Sequence, residues 1–226
     1  HSNNAGTTWQ PIFDKYSTAS IGDIAINQSE PNIIWVGTGE ANNRNSVSWG
    51  DGVFKSDDGG KTFENVGLQS THQIARIVLD PTDSEVAYVA AIGHLWGESG
   101  ERGLFKTKDG GQSWSKLNNG LPTGVWSGCT DIVMHPQDPK TMYAAFYQRL
   151  RQPWHFESGG SEGGIYKTTN GGKKWVKLNA GLYNGPTGRI GLAISASKPN
   201  IVMAIIEAPK SQNLDALGSG VYRSED

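Results

Sequence analysis

Short apolar or alternating runs, each bounded by Gly, Pro, Asn or Asp, recur along the whole chain, and no stretch shows a helical period. One set of runs spans Ile21 to Asn27, Ile74 to Asp80, Thr130 to His135 and Ile190 to Ser195. A second follows each of these through a turn with Pro: Ile33 to Gly39, Val86 to Ile92, Met142 to Tyr147 and Ile201 to Ile206. A third reads Gly52-Val53-Phe54-Lys55, Gly103-Leu104-Phe105-Lys106, Gly164-Ile165-Tyr166-Lys167 and Gly220-Val221-Tyr222-Arg223. These runs predict strands A, B and C of a repeated unit.

A turn motif closes each unit. It reads Ser2-Asn3-Asn4-Ala5-Gly6-Thr7-Thr8-Trp9, then Ser56-Asp57-Asp58-Gly59-Gly60-Lys61-Thr62-Phe63, then Thr107-Lys108-Asp109-Gly110-Gly111-Gln112-Ser113-Trp114, then Thr168-Thr169-Asn170-Gly171-Gly172-Lys173-Lys174-Trp175. A fifth copy starts at Ser224-Glu225-Asp226. The Asp or Asn side chain can accept bonds from backbone amides a few residues on, Gly supplies angles closed to other residues, and the hydroxyl adds a local bond. The aromatic then opens a fourth strand, D. A phosphate-binding loop is excluded: the Lys-Ser/Thr ending and the following helix are missing. Four-strand units repeated about every fifty residues predict an all-β propeller of antiparallel blades, with the box between strands C and D.

About four blade-equivalents are present. Residues 1–20 hold strand D alone (Trp9 to Phe13), residues 21–68, 73–118 and 128–179 are full blades, and 189–226 supply strands A to C. Strand count permits a closed four-bladed ring in which the first D strand completes the last blade. A piece of a longer chain is the favoured expectation, because an open arc exposes sheet faces and edges.

Composition narrows the class further. With 226 residues and a net charge of −2, the chain has no basic stripe for nucleic acid. No apolar run reaches the roughly 18–20 residues of a membrane helix, so membrane insertion is not expected. Cys129 stands alone, which removes internal disulfides and cysteine metal sites.

The chain resembles the bacterial Asp-box, or BNR-repeat, propellers, in the sortilin-like branch often labelled BNR-repeat glycosyl hydrolase. The resemblance rests on the boxes and on Gly37-Thr38-Gly39-Glu40, Gly50-Asp51-Gly52-Val53, Gly93-His94-Leu95-Trp96-Gly97, Glu101-Arg102-Gly103 and Gly188-Arg189-Ile190-Gly191. It covers the whole chain and implies a fold and an extracellular or periplasmic location; the box itself does not specify activity.

Function is expected on the face opposite the boxes, where the B–C and D–A connections meet, since loops on a rigid scaffold carry it. Three B–C loops are rich in Trp, Arg, Glu and His. Glu40, Arg44 and Trp49 stand in the first, His94, Trp96 and Glu98 in the second, and Arg149, Arg151, Trp154 and His155 in the third. A fourth, from Glu207 to Ser219, is blander. Trp faces stack on sugars or cations, and Arg grips carboxylates. The same residues also suit loop packing and local ion pairs. Aligned strand-A positions carry Asp23, Arg76, Asp131 and Gly191 and predict a polar channel, either self-paired or ligand-contacting.

Three functions fit. The first is a secreted recognition propeller binding glycan or peptide. The second is a glycoside hydrolase with two carboxyl groups roughly 5–9.5 Å apart, drawn from Glu40, Glu98, Asp23, Asp131 and Glu207. The third is a structural or assembly module of a larger protein. Sialidase activity is disfavoured: Arg76 and Arg189 are the only loose candidates for an arginine trio, and no Phe-Arg-Ile-Pro motif occurs. No cofactor or metal is expected; His94 and His155 fit packing or hydrogen bonding better than a metal.

Overall fold

Alternation of apolar and polar positions, interrupted every few residues by a turn, leaves strands short and forces them to pair with their sequence neighbours. The computed structural model describes residues 1–209 and 217–225. The first sheet holds β1 (Ile21–Ile26), β2 (Ile34–Thr38), β3 (Val53–Ser56) and β4 (Glu64–Asn65). The second holds β5 (Ile74–Leu79), β6 (Ala87–Ala91), β7 (Gly103–Thr107) and β8 (Ser115–Leu117). The third holds β9 (Ser127–His135), β10 (Asp138–Gln152), β11 (His155–Ser158), β12 (Gly164–Thr168) and β13 (Val176–Lys177). The last holds β14 (Ile190–Ile194), β15 (Val202–Ile206) and β16 (Gly220–Ser224). Every pairing is antiparallel between neighbours, in the up-and-down order of a propeller blade.

The boxes form as their chemistry dictates. Asp58 accepts hydrogen bonds from the Lys61 and Thr62 amides at 2.9 and 3.0 Å, and from the Thr62 hydroxyl at 2.7 Å. The Ser56 hydroxyl accepts from the Gly60 amide at 2.8 Å. Asp109 and Asn170 repeat the bond to the amides of Ser113 and Lys174. Gly59 and Gly60 have φ of 77° and 84°, which favours residues without a Cβ. Each box is tied to the A–B turn of its own blade: the amides of Gly59, Gly110 and Gly171 each donate at 3.0 Å to the carbonyls of Asn32, Glu85 and Lys140. Boxes and A–B turns therefore share one face.

The core lies between sheets. Trp35 and Val53 of the first sheet pack on Ile74, Ile77 and Val89 of the second. Tyr88 and Leu104 meet Ile132, Met142 and Phe146 of the third, and Tyr143 and Ile165 meet Ile190, Leu192 and Val202 of the last. Box aromatics bridge the seams: Trp114 stands edge-on to Trp35 and donates through Nε1 to the Val66 carbonyl at 2.6 Å. Close approach requires small residues at one strand-B position. A Cβ on Gly37 would lie 2.4 Å from Ile74 Cγ2, and Ala90 and Ala145 occupy the matching sites.

Three expectations need correction. Trp9 to Phe13 is not a strand, and Trp9 is 73% exposed. Ile12, Phe13 and Tyr16 instead pack side-on against Val36, Phe54 and Phe63 of the first blade, and the Tyr16 hydroxyl accepts from the Phe63 amide at 2.7 Å. The segment does not pair with β16, so the last sheet has three strands among the described residues. The third B–C loop is in fact a hairpin arm: β10 runs on to Gln152 and pairs with β11 from Arg149↔Ser158 to Gln152↔His155. Most of the fourth loop, and Asp226 of the last box, lie outside the described residues.

Candidate functional site

Antiparallel blades send every B–C and D–A connection to the end away from the boxes, and there the connections bond to one another. Gly50 donates its amide to the His72 carbonyl at 2.8 Å, Ile92 to Gln73 at 3.1 Å, and Arg149 to Trp126 at 3.0 Å. Three tryptophans stand out from this framework. Trp154, at the tip of the β10–β11 arm, is 82% exposed; Trp49 is 62% exposed and Trp96 37%. Trp49 leans on His72, with ring centroids 4.8 Å apart, and His72 stacks on His94 at 3.9 Å. Burial, and then the charge of His94, hold the His72 pKa below its ordinary value, which favours the neutral form of the His72 ring. His72 has φ of 58°, a strained angle for a residue with a Cβ.

The arginines divide sharply. Arg44 grips Glu40 in a fork at 2.6 and 2.8 Å, which holds the Glu40 carboxyl below the usual range and therefore ionised. Arg151 lies over the rings of Phe156 and Trp96 at 5.0 and 5.6 Å and donates to Asn45. Arg149, expected to contact ligand, is fully buried instead. It donates to Asn43 Oδ1 at 2.6 Å, Gln73 Oε1 at 2.8 Å and the carbonyls of Gly93 and His94 at 3.3 Å. Burial, with Arg102 nearby, lowers its pKa to about 9. Arg102, also buried, serves the carbonyls of Ile92, His94 and Gly97. Neither shape nor burial of this pair follows from local sequence.

The remaining candidates are separated. His155 sits 3.9 Å from Glu157 and away from the histidine stack, and Glu98 is exposed without a hydrogen bond or ion pair among the described residues. Glu207 accepts from the Arg189 amide at 3.0 Å and faces Ser158, whose hydroxyl meets the Tyr147 hydroxyl at 2.9 Å. Among the described residues no group of three His, Cys, Asp or Glu side chains could hold a metal ion.

The aligned strand-A residues meet in the channel. Arg76 donates from Nε to Asp131 at 2.9 Å and lies 3.7 Å from Asp23. Burial opposes its charge, but the Asp131 bond and the two carboxylates outweigh this and raise its pKa. Each Asp also reaches the next blade: Asp23 accepts from the Ile77 amide at 2.7 Å and Asp131 from the Leu192 amide at 2.8 Å. Both catalytic candidates thus take part in blade joints. Two open grooves, of ≈ 610 and ≈ 600 Å³, lie off the loop face. One runs along β1 and β5 to the A–B turns, and the other lies between the first two full boxes. Partly buried Trp114 lines the second groove, and Trp49, Trp96 and Trp154 line neither.

Sequence reasoning missed His72, Gln73 and the Asn42, Asn43 and Asn45 run. His72 and Gln73 lie in a D–A connection, and the three asparagines lie in the first B–C loop, where Trp, Arg and Glu carried the expectation.

The family model Sortilin-Vps10 (Sortilin, neurotensin receptor 3) matches residues 51–218. The chain is 23% identical over 199 residues to the xyloglucanase Xgh74A of Acetivibrio thermocellus, covering 74% of this chain and 21% of that protein. It is 29% identical over 87 residues to the vacuolar protein sorting/targeting protein 10 of Colletotrichum graminicola, covering 38% of this chain and 5% of that protein. Among solved structures, the GH74 xyloglucanase of Xanthomonas campestris superposes with a TM-score of 0.62 at 16% identity, covering 90% of this chain and 28% of that one. The chain thus spans about a fifth of the length of the xyloglucanases it matches. No helix among the described residues is long and apolar enough to cross a membrane.

Proposed function

We propose that this chain, which belongs to the Sortilin-Vps10 family, is part of a recognition propeller that binds a glycan or a peptide on the face built by its B–C and D–A connections. The observation that carries this reading is the exposure of Trp49, Trp96 and Trp154 in the B–C connections of one face. Apolar rings held in water cost free energy unless a partner covers them, and a ring face suits sugars and peptide side chains alike. The same reading has the domain working in the extracellular or periplasmic space.

Hydrolysis is less well supported. It needs two carboxyl groups free to exchange protons or attack carbon. Asp23 and Asp131 are bound to amides and Arg76, Glu40 is forked to Arg44, and Glu207 accepts a backbone amide. Glu98 alone stands free among these, and a single carboxyl group cannot supply both roles.

A glycan array and a peptide library, each followed by titration calorimetry, test the reading, with a reducing-sugar assay alongside. Trp154→Ala and Trp49→Ala should each weaken binding about tenfold or more while leaving Tm unchanged. Binding that ignores both substitutions, or turnover of a neutral glycan abolished by Glu98→Gln, would overturn it.

A further inference from the structure

Guanidinium groups bind best to ionised acceptors, and a buried one normally has a carboxylate beside it. Buried Arg102 departs from that rule by donating to the carbonyls of Ile92, His94 and Gly97 near it in the chain, and a second departure takes its acceptors from another blade. The β2–β3 loop of the first blade crosses the mouth of the disc and reaches the third and last blades. There Arg149 donates to Asn43 Oδ1, Arg151 to Asn45 Oδ1, and Arg189 to the Ala41 carbonyl at 3.2 Å and Asn42 Oδ1 at 3.5 Å. Three arginines from two blades thus converge on consecutive neutral oxygens of one short peptide segment. None of them forms an ion pair among the described residues. The buried Nε atoms of Arg149 and Arg151 have no hydrogen-bond partner among the described residues.

We propose that residues 41–45 act as a built-in stand-in for an acidic peptide, and that Arg149, Arg151 and Arg189 form its binding site once this loop lifts. The proposal rests on the recognition reading above and names the ligand class for the same face. The present occupant is itself a peptide segment, and replacing its amides by carboxylates changes charge without changing shape. Carboxylates at the spacing of Asn42, Asn43 and Asn45 would supply the missing counter-charge. Burial and the neighbouring Arg102 depress the Arg149 pKa, as expected of a cation without an anion. Arg44 is satisfied within the loop by Glu40, and the loop's base is closed by one backbone bond, from the Glu40 amide to the Ser48 carbonyl at 3.0 Å. Its hold on the third blade is made by side chains, the arginine bonds and an Asn43 Nδ2 bond to the Tyr147 hydroxyl at 3.0 Å, which a competing peptide can replace. A glycan would meet the Trp rings, whereas the arginines ask for charge, which favours a peptide with Asp or Glu side chains.

The test uses a fluorescent synthetic peptide with the sequence of residues 39–47 carrying Asn42→Asp, Asn43→Asp and Asn45→Asp, against the unsubstituted peptide. Binding to the whole chain is read by anisotropy. The acidic peptide should bind about tenfold or more tightly than its amide parent, and more weakly as salt rises. Arg151→Gln and Arg189→Gln, both at partly exposed sites, should each cost about tenfold in affinity with Tm kept. In the protein itself, Asn43→Asp should raise Tm by about 2–4 °C and block the peptide, because the counter-charge is then internal and the Tyr147 hydroxyl, which now accepts from Asn43 Nδ2 at 3.0 Å, can turn and donate to the carboxylate. Equal binding of the two peptides, indifference to the arginine substitutions, or a lower Tm for Asn43→Asp would each overturn the proposal. Binding at the Trp face that persists when the acidic peptide fails would sink this inference alone; loss of Trp-dependent binding would sink the recognition reading itself.

Discussion

Replacing Asp131 by Asn should weaken the joint between the third and last blades more than any other single isosteric change in the channel. Asp131 is nearly buried and satisfies three donors: Arg76 Nε at 2.9 Å, its neighbour's amide at Ile132 at 2.9 Å, and the Leu192 amide at 2.8 Å. The amide of Asn can keep one oxygen. The cheaper choice leaves that oxygen on Arg76 and Ile132 and turns an NH2 group toward Leu192 N–H. A buried donor without a partner costs about 1–3 kcal/mol. Loss of the charge beside Arg76 adds only about 0.5–1 kcal/mol, because that guanidinium is 44% exposed and screened. The sum is about 1.5–4 kcal/mol, or a Tm lower by about 3–16 °C for a chain of this size. Asp23→Asn is the internal control. Its Arg76 contact is 3.7 Å and its side chain is more exposed, so about 1–2 kcal/mol is expected. Urea titration and scanning fluorimetry measure both, and Arg76→Met with Asp131→Asn closes a double-mutant cycle in which the pair should cost less than the sum. A change under about 0.5 kcal/mol for Asp131→Asn, or equal effects at Asp131 and Asp23, would refute the account of the joint.

Other outcomes follow from the same geometry. Hydrogen bonds from the hydroxyl and amide of Ser113 lower the Asp109 pKa from 3.8 to about 2, and the Thr62 amide and hydroxyl depress Asp58 further. A depressed carboxylate contributes stability above its unfolded pKa and loses it below, so stability should fall as pH drops from about 4 to 2. Asp58→Asn and Asp109→Asn should flatten that slope in acid titrations followed by circular dichroism; an unchanged slope would count against the boxes as its source. Gly37→Ala should cost about 1–3 kcal/mol, since its Cβ must displace Ile74, and denaturant midpoints will show whether the seam yields instead. Trp154→Ala should leave the urea midpoint within about 0.5 kcal/mol of the parent, because the ring is 82% exposed; a larger loss would mean the arm is held by this residue.

What the residues alone determined is the part built from contacts a few positions apart. The box reads directly because its donors and acceptor lie within four residues, as between Asp58 and Thr62 or Asn170 and Lys174. Strand phase reads because side chains alternate and each strand pairs with the next. Alignment of the repeats even brought Asp23, Arg76 and Asp131 to one position. Their partners were not legible: the amides of Ile77 and Leu192 belong to the following blade, and only the angle between blades aims a carboxylate at them. Arg149 makes the same point most strongly. In sequence it is one more loop arginine beside Arg151. In the fold it is fully buried, because a loop more than a hundred residues earlier crosses the disc and covers it with Asn43. Burial and long-range partners depend on how whole blades stack, and that free energy is shared across the seams and not held in any local pattern of residues.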